Sequence, residues 1–257
     1  MQSQKIIKHI VNWLDGYCTG AGMKGFVIGI SGGIDSAVTS ALCAKTGKPV
    51  ICLNMPIYQS REQVARSNDH ISWLSGKYKN VKGVTIELTK SFDIFKNSLP
   101  SEIHDELSLI NARARLRMMT LYAFAGNKKM LVAGTGNKIE DFAIGFFTKY
   151  GDGGVDLSPI ADLTKTEVYA LAREMDIIES IQQAQPTDGL WGDDRTDEDQ
   201  IGASYPELEW AMDFKGDESG LNTRQKEVLA IYNRLNKINQ HKMLPVPVCE
   251  IPQGIKD

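Results

Sequence analysis

Apolar and polar positions follow two rhythms along this chain, and the rhythm changes near residue 150. Ile6, Ile10, Trp13, Leu14 and Tyr17 recur at helical spacing and the segment ends at Gly20 and Gly22, which predicts an opening helix. Gly25-Phe26-Val27-Ile28-Gly29-Ile30 is a short continuous apolar run, as expected of a strand buried on both faces. Small residues from about Asp35 to Ala44 predict a helix directly after it. Further strands are predicted at Pro49–Asn54, Val84–Leu88 and Met130–Ala133, with a long helix over His104–Ala125. Strands alternating with helices imply right-handed crossovers and a parallel sheet covered on both faces. Beyond Tyr150 the pattern is mostly helical, with helices near Lys165–Met175, Tyr205–Met212 and Asn222–Gln240. The stretch Thr187 to Gln200 carries six acidic residues and reads as a mobile surface loop. One domain spanning residues 1–257 is expected, an α/β unit with helical additions.

Composition narrows the function classes. Hydrophobic residues at 42% and charged residues at 24% suit a soluble globular protein. A net charge of −3 argues against sequence-independent nucleic-acid binding, which needs a basic face, but leaves room for a small anion held by local cations. Cys18, Cys43, Cys52 and Cys249 form no CxxC pair and read as reduced residues. No apolar run approaches the roughly 18 residues of a membrane span, and no signal-peptide core leads the chain. A cytoplasmic location is expected, with neither membrane nor nucleic acid as partner.

The candidate chemistry begins at Ser31-Gly32-Gly33-Ile34-Asp35-Ser36, between the first strand and its helix. Glycines there let backbone N–H groups approach phosphate oxygens, and the helix dipole adds favourable charge. The loop is neither a Walker loop nor a GxGxxG fingerprint. Asp35 would repel phosphates unless a cation lay between, and magnesium, held by one or two carboxylates plus phosphate oxygens, resolves the conflict. A helix N-cap is the plainer role for Asp35, and the two are compatible. Thr164 and Glu167 form a predicted capping box, so Lys165 falls in the first turn of a helix. A cation there opposes the helix dipole by about 0.3–1 kcal/mol, a conflict that a bound anion removes.

Ser-Gly-Gly-x-Asp-Ser after a first strand resembles the pyrophosphate loop of the ATP pyrophosphatase superfamily, whose members cleave ATP between its α- and β-phosphates. The segment Gly145-Phe-Phe-Thr-Lys-Tyr-Gly-Asp-Gly-Gly-Val-Asp156 closely resembles the GFFTKYGDGGxD signature of the NAD synthetases. Gly134-Thr-Gly-Asn-Lys-Ile-Glu140 and Asn111-Ala-Arg-Ala-Arg-Leu-Arg-Met118 resemble two further segments of that family. The resemblance implies a doubly wound five-stranded parallel sheet of adenine nucleotide alpha hydrolase type, with extra C-terminal helices. It implies ATP contacts at Gly29, Ile30, Ser31, Gly32, Gly33, Ile34, Asp35, Ser36, Thr135, Lys165 and Thr187. Magnesium would sit on Asp35 and Glu140, with Asp141 an alternative to Glu140. Deamido-NAD would meet Arg115, Lys149, Asp156, His241 and Lys242, although His241 and Lys242 also simply complement the end of their helix.

With no room for a glutaminase before the loop, free ammonia is the expected nitrogen source, and a homodimer is implied. The acidic Thr187–Asp199 stretch is a candidate cover for the site, or a solvated loop. Asn54-Met55-Pro56 departs from the Arg-Leu-Pro of many members. The rival expectations are another adenylating ligase of the superfamily, such as a tRNA-modifying one, and a non-catalytic adenine-nucleotide sensor.

Overall fold

The computed structural model describes residues 1–184 and 196–256. Four parallel strands form one sheet in the order β3-β2-β1-β4, with β1 at Phe26–Gly29, β2 at Val50–Asn54, β3 at Val81–Thr85 and β4 at Leu131–Val132. Alternation of side chains divides the core in two. Phe26, Ile28, Val50 and Cys52 face helices α1 (Ser3–Gly20), α2 (Ile34–Lys45), α6 (Lys165–Glu174) and α7 (Glu179–Gln182). Val27, Ile51 and Leu53 face the other layer, where α4 (Thr89–Asn97) and α5 (Glu106–Lys128) contribute Phe92 and Ala125. Between β2 and β3 runs α3 (Arg61–Lys77), capped by Ser60, whose hydroxyl accepts from the Gln63 N–H. The hydrophobic pattern does not mark α3, which is polar on most positions and buries only Ser67, His70, Ile71 and Leu74.

Two expectations need correction. Among the described residues the sheet has four strands rather than five: where a fifth would add, Leu157 makes only an isolated parallel bridge to Ala133. The Gly134 N–H donates to Leu157 O and the Asp156 N–H to Val132 O, but Pro159 has no N–H to continue a ladder. The third strand begins at Val81 rather than Val84. Its polar edge residue Lys82 hides it from an apolar count, whereas backbone pairing of Val81 with Val50 and of Gly83 with Cys52 sets its true start.

A third apolar cluster packs the C-terminal helices α9 (Tyr205–Asp213) and α10 (Thr223–Met243) against a π-helical turn over Lys138–Ile144. The short α8 (Asp197–Ile201) precedes α9. Three cysteines are buried and all are free; Cys249 is exposed. Among the described residues no helix is long and apolar enough to cross a membrane.

Candidate active site

Strand order fixes where a ligand can enter. The chain leaves β1 toward β2 and β3, then crosses to β4 on the other side of β1, so the connections after β1 and β4 diverge and open a crevice. The loop Ser31–Ser36 follows β1 and Gly134–Asn137 follows β4, and both line one cavity of about 630 Å3.

In the loop, Gly32 has φ of +83°, a left-handed conformation natural to glycine, and a Cβ there would meet Ser67 Oγ at 3.0 Å. That turn aims Ser31 and Gly33 into the cavity while Gly32 faces α3. The loop's own hydroxyls bind its backbone: Gly33 N–H donates to Ser31 Oγ at 3.2 Å, and Ser36 Oγ donates to Gly33 O at 3.0 Å. Asp35 and Ser36 stand in the first turn of α2, where N–H groups and helix dipole favour an anion.

Lys165 is the hub. Thr164 and Glu167 form the predicted capping box, which sets Lys165 at the first position of α6. Its Nζ is 2.6 Å from Asp35 Oδ2 and 2.9 Å from Glu140 Oε1, and its side chain is only 5% exposed. The anion expected at this helix start is therefore supplied within the chain, by two carboxylates. Glu140 also accepts from Tyr205 Oη at 2.5 Å, and Asp35 from Asn137 Nδ2 at 3.3 Å. Asn137 caps the π turn, with its Oδ1 accepting from the Ile139 and Glu140 N–H groups, and so points Glu140 inward.

The field is divided unequally. Burial pushes the Asp35 carboxyl above its usual range, against the pull of Lys165. Burial acts on Glu140 as well, but Lys165 and the Tyr205 hydroxyl together hold it below its usual range. Burial alone would lower Lys165; Asp35 and Glu140 outweigh it and carry the ammonium well above the ordinary lysine value. Burial and the nearby carboxylates of Glu140 and Asp197 keep the Tyr205 phenol protonated, so it serves as a donor.

The cavity unites most of the predicted ATP residues: Gly29, Ile30, Ser31, Gly33, Ile34, Asp35, Ser36, Thr135 and Lys165 all line it, with Glu140. Asp141 instead lies against Gly136, where a Cβ would come within 1.8 Å of its Oδ2. Lys242 also lines the cavity, its Nζ donating to the Gly145 and Phe147 carbonyls. Arg115, Lys149 and His241 gather outside it, Arg115 Nε donating to Lys149 O and Lys149 Nζ to His241 O. Asp156 accepts from the Val132 N–H and from Tyr122 Oη, also outside the cavity lining. Thr187 lies outside the described residues, as does most of the acidic stretch, whose end forms α8.

Sequence reasoning missed Asn137 and Tyr205, and did not place Arg66 and Arg117 in the cavity lining. Asn137 was findable, since Asn-x-x-Glu before a helical turn is a capping pattern. Tyr205 carried no local signal, being 65 residues from the carboxylate it meets.

A family model for NAD synthase matches residues 6–245. The chain belongs to the NAD synthase family. It is 36% identical over 238 residues to an NH(3)-dependent NAD(+) synthetase from Carboxydothermus hydrogenoformans, covering 91% of this chain and 92% of the relative. Among solved structures, it resembles an NMN synthetase from Francisella tularensis with a TM-score of 0.87 and 32% identity, covering 98% of this chain and all of the other. It also resembles the NH3-dependent NAD synthetase of Campylobacter jejuni, with a TM-score of 0.79 and 28% identity over 97% of this chain and 100% of that one. The likeness to the family therefore extends along nearly the whole chain.

Proposed function

We propose that this protein amidates the nicotinate carboxylate of deamido-NAD with free ammonia, at the expense of ATP, releasing AMP and pyrophosphate. The observation that carries the reading is the convergence of a pyrophosphate-type loop, two carboxylates and Lys165 at one end of a cavity large enough for a nucleotide. Ammonia is a poor match for a carboxylate, which must first gain a leaving group. The carboxylate oxygen attacks the α-phosphorus, the bond to the β-phosphate bridge breaks, and pyrophosphate departs from the loop. Ammonia then adds to the acyl adenylate, and AMP leaves as the amide forms. Preorganised N–H groups at the α2 start stabilise charge growing on pyrophosphate. Lys165 is placed to turn from its carboxylates to the phosphates.

Asp35 and Glu140 fit magnesium as a donor set: two hard carboxylate oxygens that converge on one cation at the cavity lining. When bound there, magnesium neutralises phosphate charge. Thr135 and Thr187 complete the proposed ATP contacts. Arg115, Lys149, Asp156, His241 and Lys242 are the proposed contacts of deamido-NAD. Because four of these, all but Lys242, lie outside the cavity lining, the dinucleotide would extend over the surface that carries them. A homodimer joined at this surface is part of the proposal, supported by the exposure of Leu107 and Met119 on α5 and of Tyr150. One domain using free ammonia in the cytoplasm completes the reading.

A second reading concerns the substrate's size. The high overall likeness to an NMN synthetase favours testing nicotinate mononucleotide, which presents the same carboxylate without the adenylyl half. One experiment tests both: incubation with ATP, Mg2+ and ammonium plus either acid, with amide and pyrophosphate followed by mass spectrometry. NAD formation at the higher kcat/KM supports the first reading, and NMN formation the second. Neither amide from folded, ATP-binding protein refutes both.

A further inference from the structure

Four cations line the cavity among the described residues: Arg66, Arg117, Lys165 and Lys242. Three are already engaged. Lys165 bridges Asp35 and Glu140. Lys242 Nζ donates to two carbonyls, at 2.6 and 2.9 Å. Arg117 gives Nε to Met55 O at 2.9 Å and an Nη to Gln59 Oε1 at 2.8 Å, which ties α5 to the segment after β2.

Arg66 differs. Its Nε donates to Gly32 O at 2.9 Å, while both Nη groups are without a partner among the described residues, and no carboxylate there pairs with it. The guanidinium is planar, so fixing Nε on the loop carbonyl also fixes the plane in which the Nη groups lie. Its footing is firm: the next residue, Ser67, is buried, donates to Gln63 O, and abuts Gly32 in its left-handed turn. A half-buried cation is thus held against the phosphate loop with most of its five N–H donors unspent. Asp35, the carboxylate of that loop, is committed to Lys165 instead.

We infer that Arg66 is an ATP-binding residue, its Nη groups gripping phosphate oxygens of ATP and of the pyrophosphate formed, while Nε anchors it to Gly32. The fork matches two oxygens of one phosphate, and such charge-assisted pairs are among the stronger hydrogen bonds. This role rests on the ATP-cleaving reading proposed above.

The test is calorimetric titration of the full chain with inorganic pyrophosphate and, separately, α,β-methylene-ATP, each with Mg2+. Wild type is compared with Arg66→Gln and Arg66→Lys. Arg66→Gln should weaken both ligands by roughly tenfold or more, the usual scale for a lost hydrogen bond to a charged group. Arg66→Lys should fall between, because a point charge cannot grip two oxygens at once. The melting temperature should hardly move, since a half-buried surface arginine carries little of the core. Affinities of Arg66→Gln within twofold of wild type would overturn the inference while leaving the ATP reading intact. If Arg66→Gln proves unstable, Arg66→Lys decides, and affinities equal to wild type overturn the grip. Wild type that binds neither ligand refutes the functional reading itself, and the role of Arg66 with it.

Discussion

Replacing Lys165 by methionine keeps the stem's volume and removes the cation that bridges Asp35 and Glu140. In the wild type that cation is 2.6 and 2.9 Å from the two carboxylates and nearly inaccessible to water. Breaking a buried pair from one side typically costs about 3–5 kcal/mol, because the partners remain buried and uncompensated. Tyr205 still donates to Glu140 and Asn137 to Asp35, so the lower end, about 3 kcal/mol, is expected. For a chain of this size that corresponds to a fall in Tm of roughly 6–12 °C.

The wild-type bridge has a defined pH window. Lys165 is raised, so its contribution is whole below the unfolded lysine value of about 10.4 and is lost as pH rises through its folded value. Glu140 is lowered, so its contribution is whole above about 4.3 and is lost as pH falls through its folded value. The variant should behave oppositely on the acid side, since its unpaired carboxylates take up protons and the penalty shrinks as pH falls. Scanning calorimetry at pH 8 in chelator-treated buffer measures the loss. Adding Asp35→Asn to Lys165→Met should then restore stability rather than remove more, because one of two repelling charges is gone. If the double variant melts below Lys165→Met, or the single variant melts with wild type, the bridge is not holding the site together.

Three further outcomes follow from separate parts of the structure. Asp35→Ala should stay folded yet lose pyrophosphate release by more than roughly a hundredfold, the scale of losing metal-assisted charge stabilisation, and coupled-enzyme pyrophosphate detection at saturating ATP would expose unchanged turnover. His70 is fully buried, bonded among the described residues only through Nε2 to Ser40 Oγ, and burial lowers its pKa to about 4 from 6.5. The unfolded chain therefore takes up the proton first, and stability should fall by roughly 3 kcal/mol as pH drops from 6.5 to 4. In His70→Gln that part of the slope should vanish, and urea midpoints at pH 7 and 4.5 that shift equally in both proteins would sink the assignment. Gly145→Ala places a Cβ 2.4 Å from Asn239 Cβ at a φ of +64°, and overpacking plus left-handed strain should cost roughly 2–4 kcal/mol. A Tm within 1 °C of wild type would contradict that close docking of α10.

The sequence made some of these features legible for identifiable reasons. β1, β2 and the start of α2 could be read because strands buried on both faces are continuous apolar runs, and the phosphate loop must be glycine-rich where backbone approaches a ligand. The capping box at Thr164 was readable because it is local, four residues deciding it. Both β3 and α3 were poorly marked, since an edge strand with Lys82 and a helix of mostly polar positions owe their places to pairing and docking. The count of five strands failed at Leu157, where a proline two residues on halts the ladder after one bridge.

The site was legible in a different sense. Asp35, Glu140 and Lys165 were each picked out, yet nothing in the sequence says that Lys165 spans the two carboxylates, because residues 25 and 130 positions apart meet only through the sheet order. That meeting alters the meaning of the lysine. A cation at a helix start looked like an unmet cost awaiting a phosphate; in the folded chain its charge is already balanced, so a nucleotide must exchange one set of anions for another. Binding then spends no net ion pair if magnesium takes the carboxylates as Lys165 turns to the phosphates, whereas nucleotide without metal would leave Asp35 and Glu140 facing each other unpaired. Metal and nucleotide should for this reason bind together more tightly than either alone. Titrating Mn2+ into wild type by electron paramagnetic resonance, with and without α,β-methylene-ATP, reads this directly. Equal Mn2+ affinity in both titrations, after correction for metal held by free nucleotide, would mean that Lys165 does not guard the carboxylates.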